Sequence, residues 1–240
     1  VLFRSLPLFD LSFTGELTLR PVAVAKAPPS VVEARLAPKG VTWRSAPERS
    51  AELRERLLQR VILELGGSGR IERIAFPDAK RHDAVDDMAR STLRTLHAGM
   101  QQSRPTSAAA GGDGGWETVE RDLTGSYRAR YEARSASSYE KRKLGYVSIQ
   151  HGQAAGARTL IDASLAKITT DGGFGLDRVT ELDLAEDTRT QGAGAFPELR
   201  SKLHLTARRL RTEEVAPVTV DVASLELVAL DVVDGKEVVE

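Results

Sequence analysis

Four histidines, His82, His97, His151 and His204, are the first side chains to test for chemistry. None stands in a His-x-x-x-His pair or another metal-type spacing, and His97, inside a helical pattern, is expected at its surface or boundary. The chain has no cysteine, which excludes a thiolate metal site and a disulfide framework. Glu117, Glu120 and Asp122 cluster beside Trp116, where carboxylates on a strand edge are expected to face solvent. Gly66-Gly67-Ser68-Gly69 lacks the spacing and the Lys-Ser/Thr of a phosphate-binding loop. Its glycines predict a hairpin turn instead, because such turns need positive φ. No nucleophile elbow, dinucleotide fingerprint or acid pair stands in a supporting context. These residues point to no catalytic, metal or cofactor site, and the expectation is a protein that is not an enzyme.

Arg128, Arg130 and Arg134, with Lys141, Arg142 and Lys143 across a hairpin, could form a basic strip. Tyr127, Tyr131 and Tyr139 lie close by, and bases stack on aromatics inside positive grooves. The alternation opposes that use, since Tyr127 and Tyr131 point away from the arginine face. Lys plus Arg and Asp plus Glu number 34 each, so no global field recruits nucleic acid. The arginines are expected to form a solvated exterior or a protein-docking face.

The elements that would position such residues follow from periodicity. Asp83–Gln102 is the one long amphipathic helix, with Val85, Met88, Ala89, Leu93, Leu96 and Met100 on one face. Asp83 suits the N-cap, and Arg90 and Arg94 are expected on the wet side. Most of the remainder reads as strands: Leu11–Ala25 with a bend at Gly15 or Pro21, Val31–Leu36, Val61–Leu65, Arg70–Phe76, Trp116 onward through Leu123–Arg134, Tyr139–Ile149, Thr159–Thr170, Leu176–Leu184, Lys202–Leu210 and Val218–Leu230. A short charged helix is expected from Pro47 to Leu58. Ser103–Gly115 and Gly152–Gly156 read as loose surface loops. Short connections favour antiparallel pairing. The fold class is therefore mainly β (α+β), an antiparallel β-barrel or half-barrel wrapped around one long helix. Val85, Met88, Leu93, Leu96 and Met100 form the helix face packed inside and are the candidate lipid contacts. Methionine repacks easily, but such a filled barrel leaves little room for an acyl chain.

Val1-Leu2-Phe3-Arg4-Ser5 is also what the tail of a common sequencing adapter encodes when read in frame, so these residues are set aside. Residues 6–240 are expected to form one domain, part of a longer chain. Only eight of the 34 basic residues are Lys, which hints at GC-rich, bacterial coding DNA. No apolar run approaches the ~20 residues of a membrane-spanning helix.

The order of the pieces resembles the N-terminal domain of the vitellogenin-like large lipid transfer proteins, whose β-barrel wraps a central helix. The matching landmarks are Phe13-Thr14-Gly15-Glu16-Leu17, then Leu57–Leu65 followed by Gly69-Arg70-Ile71-Glu72-Arg73-Ile74, then the helix Met88–Gln101. Glu120-Arg121-Asp122-Leu123-Thr124-Gly125-Ser126-Tyr127 through Tyr131 resembles the family's Glu-x-Asp-x-x-Gly-x-Cys followed by Tyr. Lys141–Tyr146 and Ser201–Leu210 match later strands. Ser126 stands where the animal proteins usually carry a disulfide cysteine. Bacterial lipoprotein carriers, with a half-barrel around helices, are similar in general shape. The resemblance implies a lipid or lipoprotein binding and transport module, with this domain acting mainly in docking through Arg128, Arg130 and Arg134. It implies an extracytoplasmic location, periplasmic, envelope or secreted. A structural or adhesive scaffold domain of the cell envelope is the competing expectation. Lipid or lipoprotein is the expected partner and nucleic acid is not, with membrane contact left open.

Overall fold

The computed structural model describes residues 10–23, 30–67, 69–77, 83–103, 115–149, 158–191 and 198–229. The first half builds a meander of β1 (Leu11–Ala23), β2 (Ser30–Trp43), β3 (Arg60–Leu65) and β4 (Ile71–Ala75). Between β2 and β3 lies a short helix, α1 (Ser50–Arg56), entered through a 3-10 turn at Pro47–Arg49. The long helix α2 (Ala84–Met100) follows. The second half is an unbroken antiparallel meander: β5 (Gly115–Asp122), β6 (Gly125–Ala133), β7 (Ser138–Ile149), β8 (Arg158–Thr170), β9 (Val179–Gln191) and β10 (Leu199–Arg208). Two-residue strands, β11 (Val218–Thr219) and β12 (Val228–Ala229), flank the first sheet at its two margins. The molecule is mainly β, two six-stranded sheets with a curled half-barrel rather than one closed barrel.

Local chemistry explains the framework. The register of β1 on β2 shifts between Thr14 and Gly15, where the sequence places a bend. A Cβ at Gly15 would lie 2.7 Å from the Ala37 carbonyl oxygen, so the bend admits no side chain. Gly69, at φ +86°, turns β3 into β4 as the glycine run predicts. Asp83 caps α2: its Oδ1 accepts from Val85 N and Asp86 N, both at 2.9 Å.

One apolar core joins all layers. Leu53 and Leu57 from α1, Ala34, Val61, Leu63 and Ile74 from the first sheet, Val85, Ala89 and Leu93 from α2, and Tyr127, Tyr131, Ile168 and Leu184 from the second sheet belong to it. The helix is clasped by both sheets, which corrects the placement of three side chains. Arg90 and Arg94 are 4% and 3% exposed, and His97 is fully buried. Only Ala84, Asp87 and Ser91 stand exposed on this helix, because neighbouring elements, α1 among them through Arg56 Nε 3.2 Å from Asp86 Oδ1, pack against what would be the wet face of a surface helix. Arg90 reaches Asp87 at 2.7 Å, and the Arg94 guanidinium lies 5.4 Å from the Phe76 ring centre.

Two strand expectations change as well. The run opened by Trp116 turns back at Leu123–Thr124, because the Asp122 carboxylate accepts from Thr124 N and Gly125 N and closes a tight turn. Val218–Leu230 is no long strand. Its valines and leucines, Val220, Val222, Leu225 and Leu227, cross the outer face of the first sheet and cover Val22, Val31, Ile62 and Ala75. Ser103 is fully buried and Gly115 opens β5, so those two ends of the expected loop belong to the packed fold. Residues 104–114 and the Gly152–Gly156 turn lie outside the described residues, as do His82, His151 and Val1–Ser5.

Candidate functional site

Between β1 and β10, the facing margins of the two sheets, lies a groove of about 2670 Å³ floored by α2. Period-two alternation gives its walls their character. Phe13, Leu17 and Leu19 of β1 and Leu203, Leu205 and Ala207 of β10 are half-buried around the core, while Ser12, Thr18, Lys202 and Thr206 face water. The helix supplies Met88, Leu96 and Met100, with Ser91, Thr92 and Thr95 and the charged Asp87, Arg90 and Arg94 among them. Close approach of α2 to the second sheet depends on Gly99, where a Cβ would lie 2.9 Å from Leu184 Cδ2 and 3.1 Å from Leu205 Cδ2. Both margins are open strand edges. β1 pairs with β11 only at Val22 and Ala23, and β10 pairs only with β9 among the described residues.

The five helix residues divide between two environments. Val85 and Leu93 are fully buried in the core, whereas Met88, Leu96 and Met100 also line the groove. The expectation that the packed helix leaves little room is corrected. The sheets diverge at β1 and β10, and the space exceeds the ~300–1,000 Å³ of ordinary ligand pockets.

On the other side of α2, toward β5–β7, the packing is polar and closed. Glu120 of β5 is fully buried; its carboxylate accepts from the Tyr127 hydroxyl at 2.9 Å and from the Tyr131 hydroxyl, and pairs with Lys141 Nζ at 2.6 Å. Burial pushes this carboxyl up, but the Lys141 charge and the donated hydrogen bonds outweigh it and hold it below its usual range. Burial, reinforced by the Glu120 charge, raises both tyrosine hydroxyls well above their ordinary value, so they remain protonated donors. The chain leaving α2 is threaded into this network. Gln101 Nε2 donates to the Arg121 carbonyl, Lys141 Nζ donates to the Gln101 carbonyl at 3.0 Å, and Ser103 N donates to the Tyr131 hydroxyl at 3.2 Å. Trp116 stacks on Tyr131 with ring centres 4.8 Å apart, and its indole N–H donates to the Ser103 carbonyl. A second node holds Lys143 between Asp122 and Glu186.

The basic strip is thereby taken apart. Lys141 and Lys143 turn inward to carboxylates, and only the arginines keep to the outside. Arg130 lies near Glu117 and Glu132, and Arg134 reaches Glu140 at 2.7 Å and Glu132 at 3.1 Å. The Arg128, Arg130 and Arg134 face therefore carries acids among its bases. Glu120 and Asp122 are not on a solvated edge, a correction with a plain cause. They share the parity of Trp116 along β5, and Lys141 and Lys143 share that of Tyr139 along β7. The same parity argument reaches Glu186, two residues beyond Leu184 on β9. His204 is exposed, with Nε2 3.3 Å from Asp183 Oδ1.

Among the described residues neither ring nitrogen of His97 finds a hydrogen-bond partner, and burial lowers its pKa from 6.5 to about 4. It is a neutral imidazole inside the core, away from the groove lining. No helix among the described residues is long and apolar enough to cross a membrane. No protein-family model matches the sequence, and no curated protein matches it.

Proposed function

We propose that this half-barrel is a non-enzymatic lipid- or lipoprotein-handling module, and that the β1–β10 groove receives an acyl chain. The groove carries this reading: Phe13, Leu17, Leu19, Met88, Leu96, Met100, Leu203 and Leu205 line it, with hydroxyls of Ser91, Thr92 and Thr95 and the charged Asp87, Arg90 and Arg94 on its helix side. Such a lining desolvates a methylene chain at roughly 0.8 kcal/mol per buried CH₂. Two methionines on the floor adapt to chains of different shape. The resemblance to the vitellogenin-like N-terminal domain supports the same reading, including an extracytoplasmic setting. Emphasis moves from docking through the arginine face toward the groove, because Glu117, Glu132 and Glu140 offset that face's charge.

Native mass spectrometry of the purified chain after incubation with mixed phospholipid vesicles tests the proposal. A stoichiometric adduct that disappears in Met88→Trp, whose indole fills the floor, is the expected result. No adduct in the folded wild type would sink it. A structural or adhesive scaffold role is the second reading, favoured by the interlocked tyrosine, carboxylate and lysine network on β5–β7. That reading expects no adduct and unchanged behaviour in Met88→Trp.

A further inference from the structure

Lys143 lies between two carboxylates in a site nearly closed to water. Its Nζ is 2.6 Å from Asp122 Oδ2 and 2.8 Å from Glu186 Oε2, and the three side chains are 8%, 12% and 11% exposed. Aromatic rings line the site: the Tyr127 ring centre is 4.5 Å from Nζ, and Tyr146 packs edge-on against Tyr127. Both oxygens of Asp122 are fixed. Oδ1 accepts from Thr124 N at 2.7 Å and Gly125 N at 3.2 Å, and Oδ2 accepts from the Tyr146 hydroxyl at 2.8 Å.

We propose that Lys143 and Asp122 become joined by an intramolecular amide bond, formed by the protein itself with Glu186 carrying the protons. The reaction starts from the ion pair, because the neighbouring carboxylates outweigh the effect of burial and hold Lys143 protonated. A proton passes from the Lys143 ammonium to Asp122 Oδ2, giving an amine and a carboxylic acid. The Nζ lone pair then attacks Cγ, the N–C bond forms, and the carbonyl electron pair moves onto Oδ1. There the N–H groups of Thr124 and Gly125 already point at the developing negative charge, in the manner of an oxyanion hole. Glu186 takes a proton from Nζ and returns one to the departing Oδ2 hydroxyl. The Cγ–Oδ2 bond breaks and water leaves. One ammonium and one carboxylate become one amide and one water, with no oxidant or co-reactant. In water the ions are favoured by their hydration, which this site withholds, and a fixed amine and acyl group react with effective molarities of ~10⁵–10⁸ M.

The neighbouring pair supplies a contrast. Lys141 Nζ approaches Glu120 Oε2 just as closely, at 2.6 Å, and is equally buried. The Glu120 carboxylate accepts from the tyrosine hydroxyls of residues 127 and 131, and among the described residues no second carboxylate pairs with Lys141 to shuttle protons. That pair stays ionic. The amide would tie β5, the margin of its sheet, to β7 across the intervening β6.

Intact-mass measurement under denaturing conditions, on the purified chain before and after prolonged incubation, tests the bond. The expected mass is one water below that of the sequence, and a protease digest yields one branched peptide joining the segments that hold Asp122 and Lys143. Glu186→Gln is expected to stay at full mass. Asp122→Asn, if it reacts, loses ammonia instead of water and reaches the same final mass as the cross-linked wild type. A folded wild type, judged by circular dichroism, that keeps its full mass after incubation overturns the proposal. So does a branched peptide through Lys141. Cross-linking in Glu186→Gln at the wild-type rate overturns the role of Glu186, and the wild-type mass remains decisive should that variant fail to fold.

Discussion

The two sides of α2 solve the same packing problem with opposite chemistry. Toward β5–β7 the helix end is held by Gln101, Gln102 and Ser103, each hydrogen-bonded into a wall of tyrosines, carboxylates and lysines. Toward β1 and β10 it shows methionine, leucine and threonine, beside Asp87, Arg90 and Arg94, to a groove of about 2670 Å³ with open strand edges on both margins. Directional hydrogen bonds in a dry site have few acceptable geometries, so the first side fixes the helix in one place. Aliphatic contacts are non-directional, so the second can exchange one apolar neighbour for another. A rigid anchor beside an adaptable groove is what the proposed carrier role requires.

The sharpest way to break this contrast is one substitution placed on each face. Leu93→Asp buries a carboxylate in the core and is expected to unfold the chain, whereas Met88→Asp, half-exposed in the groove, is expected to leave it folded while abolishing any lipid adduct. Circular dichroism melts of the pair decide it, and equal losses would erase the distinction. Next in size is Glu120→Ala, which leaves the Lys141 ammonium buried without its carboxylate. A loss of about 3–5 kcal/mol in denaturant unfolding is expected, and a variant as stable as the wild type would show that the network is not an anchor.

A pH series separates a third contribution. His97 is neutral in the fold, with its pKa lowered to about 4 from 6.5, so the unfolded chain binds the extra proton between those values. Stability is full above pH 6.5 and falls as pH drops toward 4, by ~3 kcal/mol in total. His97→Phe should flatten that limb. Glu120, held below its ordinary 4.5, adds stability that is lost only at lower pH, as acid protonates it in the fold. An unchanged acid limb in His97→Phe would contradict the buried neutral imidazole. The smallest effect is expected on the outer face of the sheet. Arg134→Ala removes an exposed ion pair with Glu140, and an unchanged melting temperature is expected; a clear drop would mean that the outer face matters as much as the inner.

Much of this was legible in the chain itself. Period-two alternation locates the strand runs of both sheets, the glycines of Gly66–Gly69 and Gly15 mark a hairpin and a bend, and Asp83 with its apolar stripe locates the helix. These are local effects, set by backbone geometry and by the neighbours of each residue. Three features waited on tertiary structure. Arg90, Arg94 and His97 are polar residues on what a single helix presents to water, and only the tertiary packing around the helix buries them. The groove arises from the divergence of β1 and β10, strands nearly two hundred residues apart that share no ladder. The meeting of Asp122, Lys143 and Glu186 needed the register of strands β5 to β9. Alternation reveals that each points inward, but which inward-facing charges touch depends on long-range pairing that no local pattern encodes.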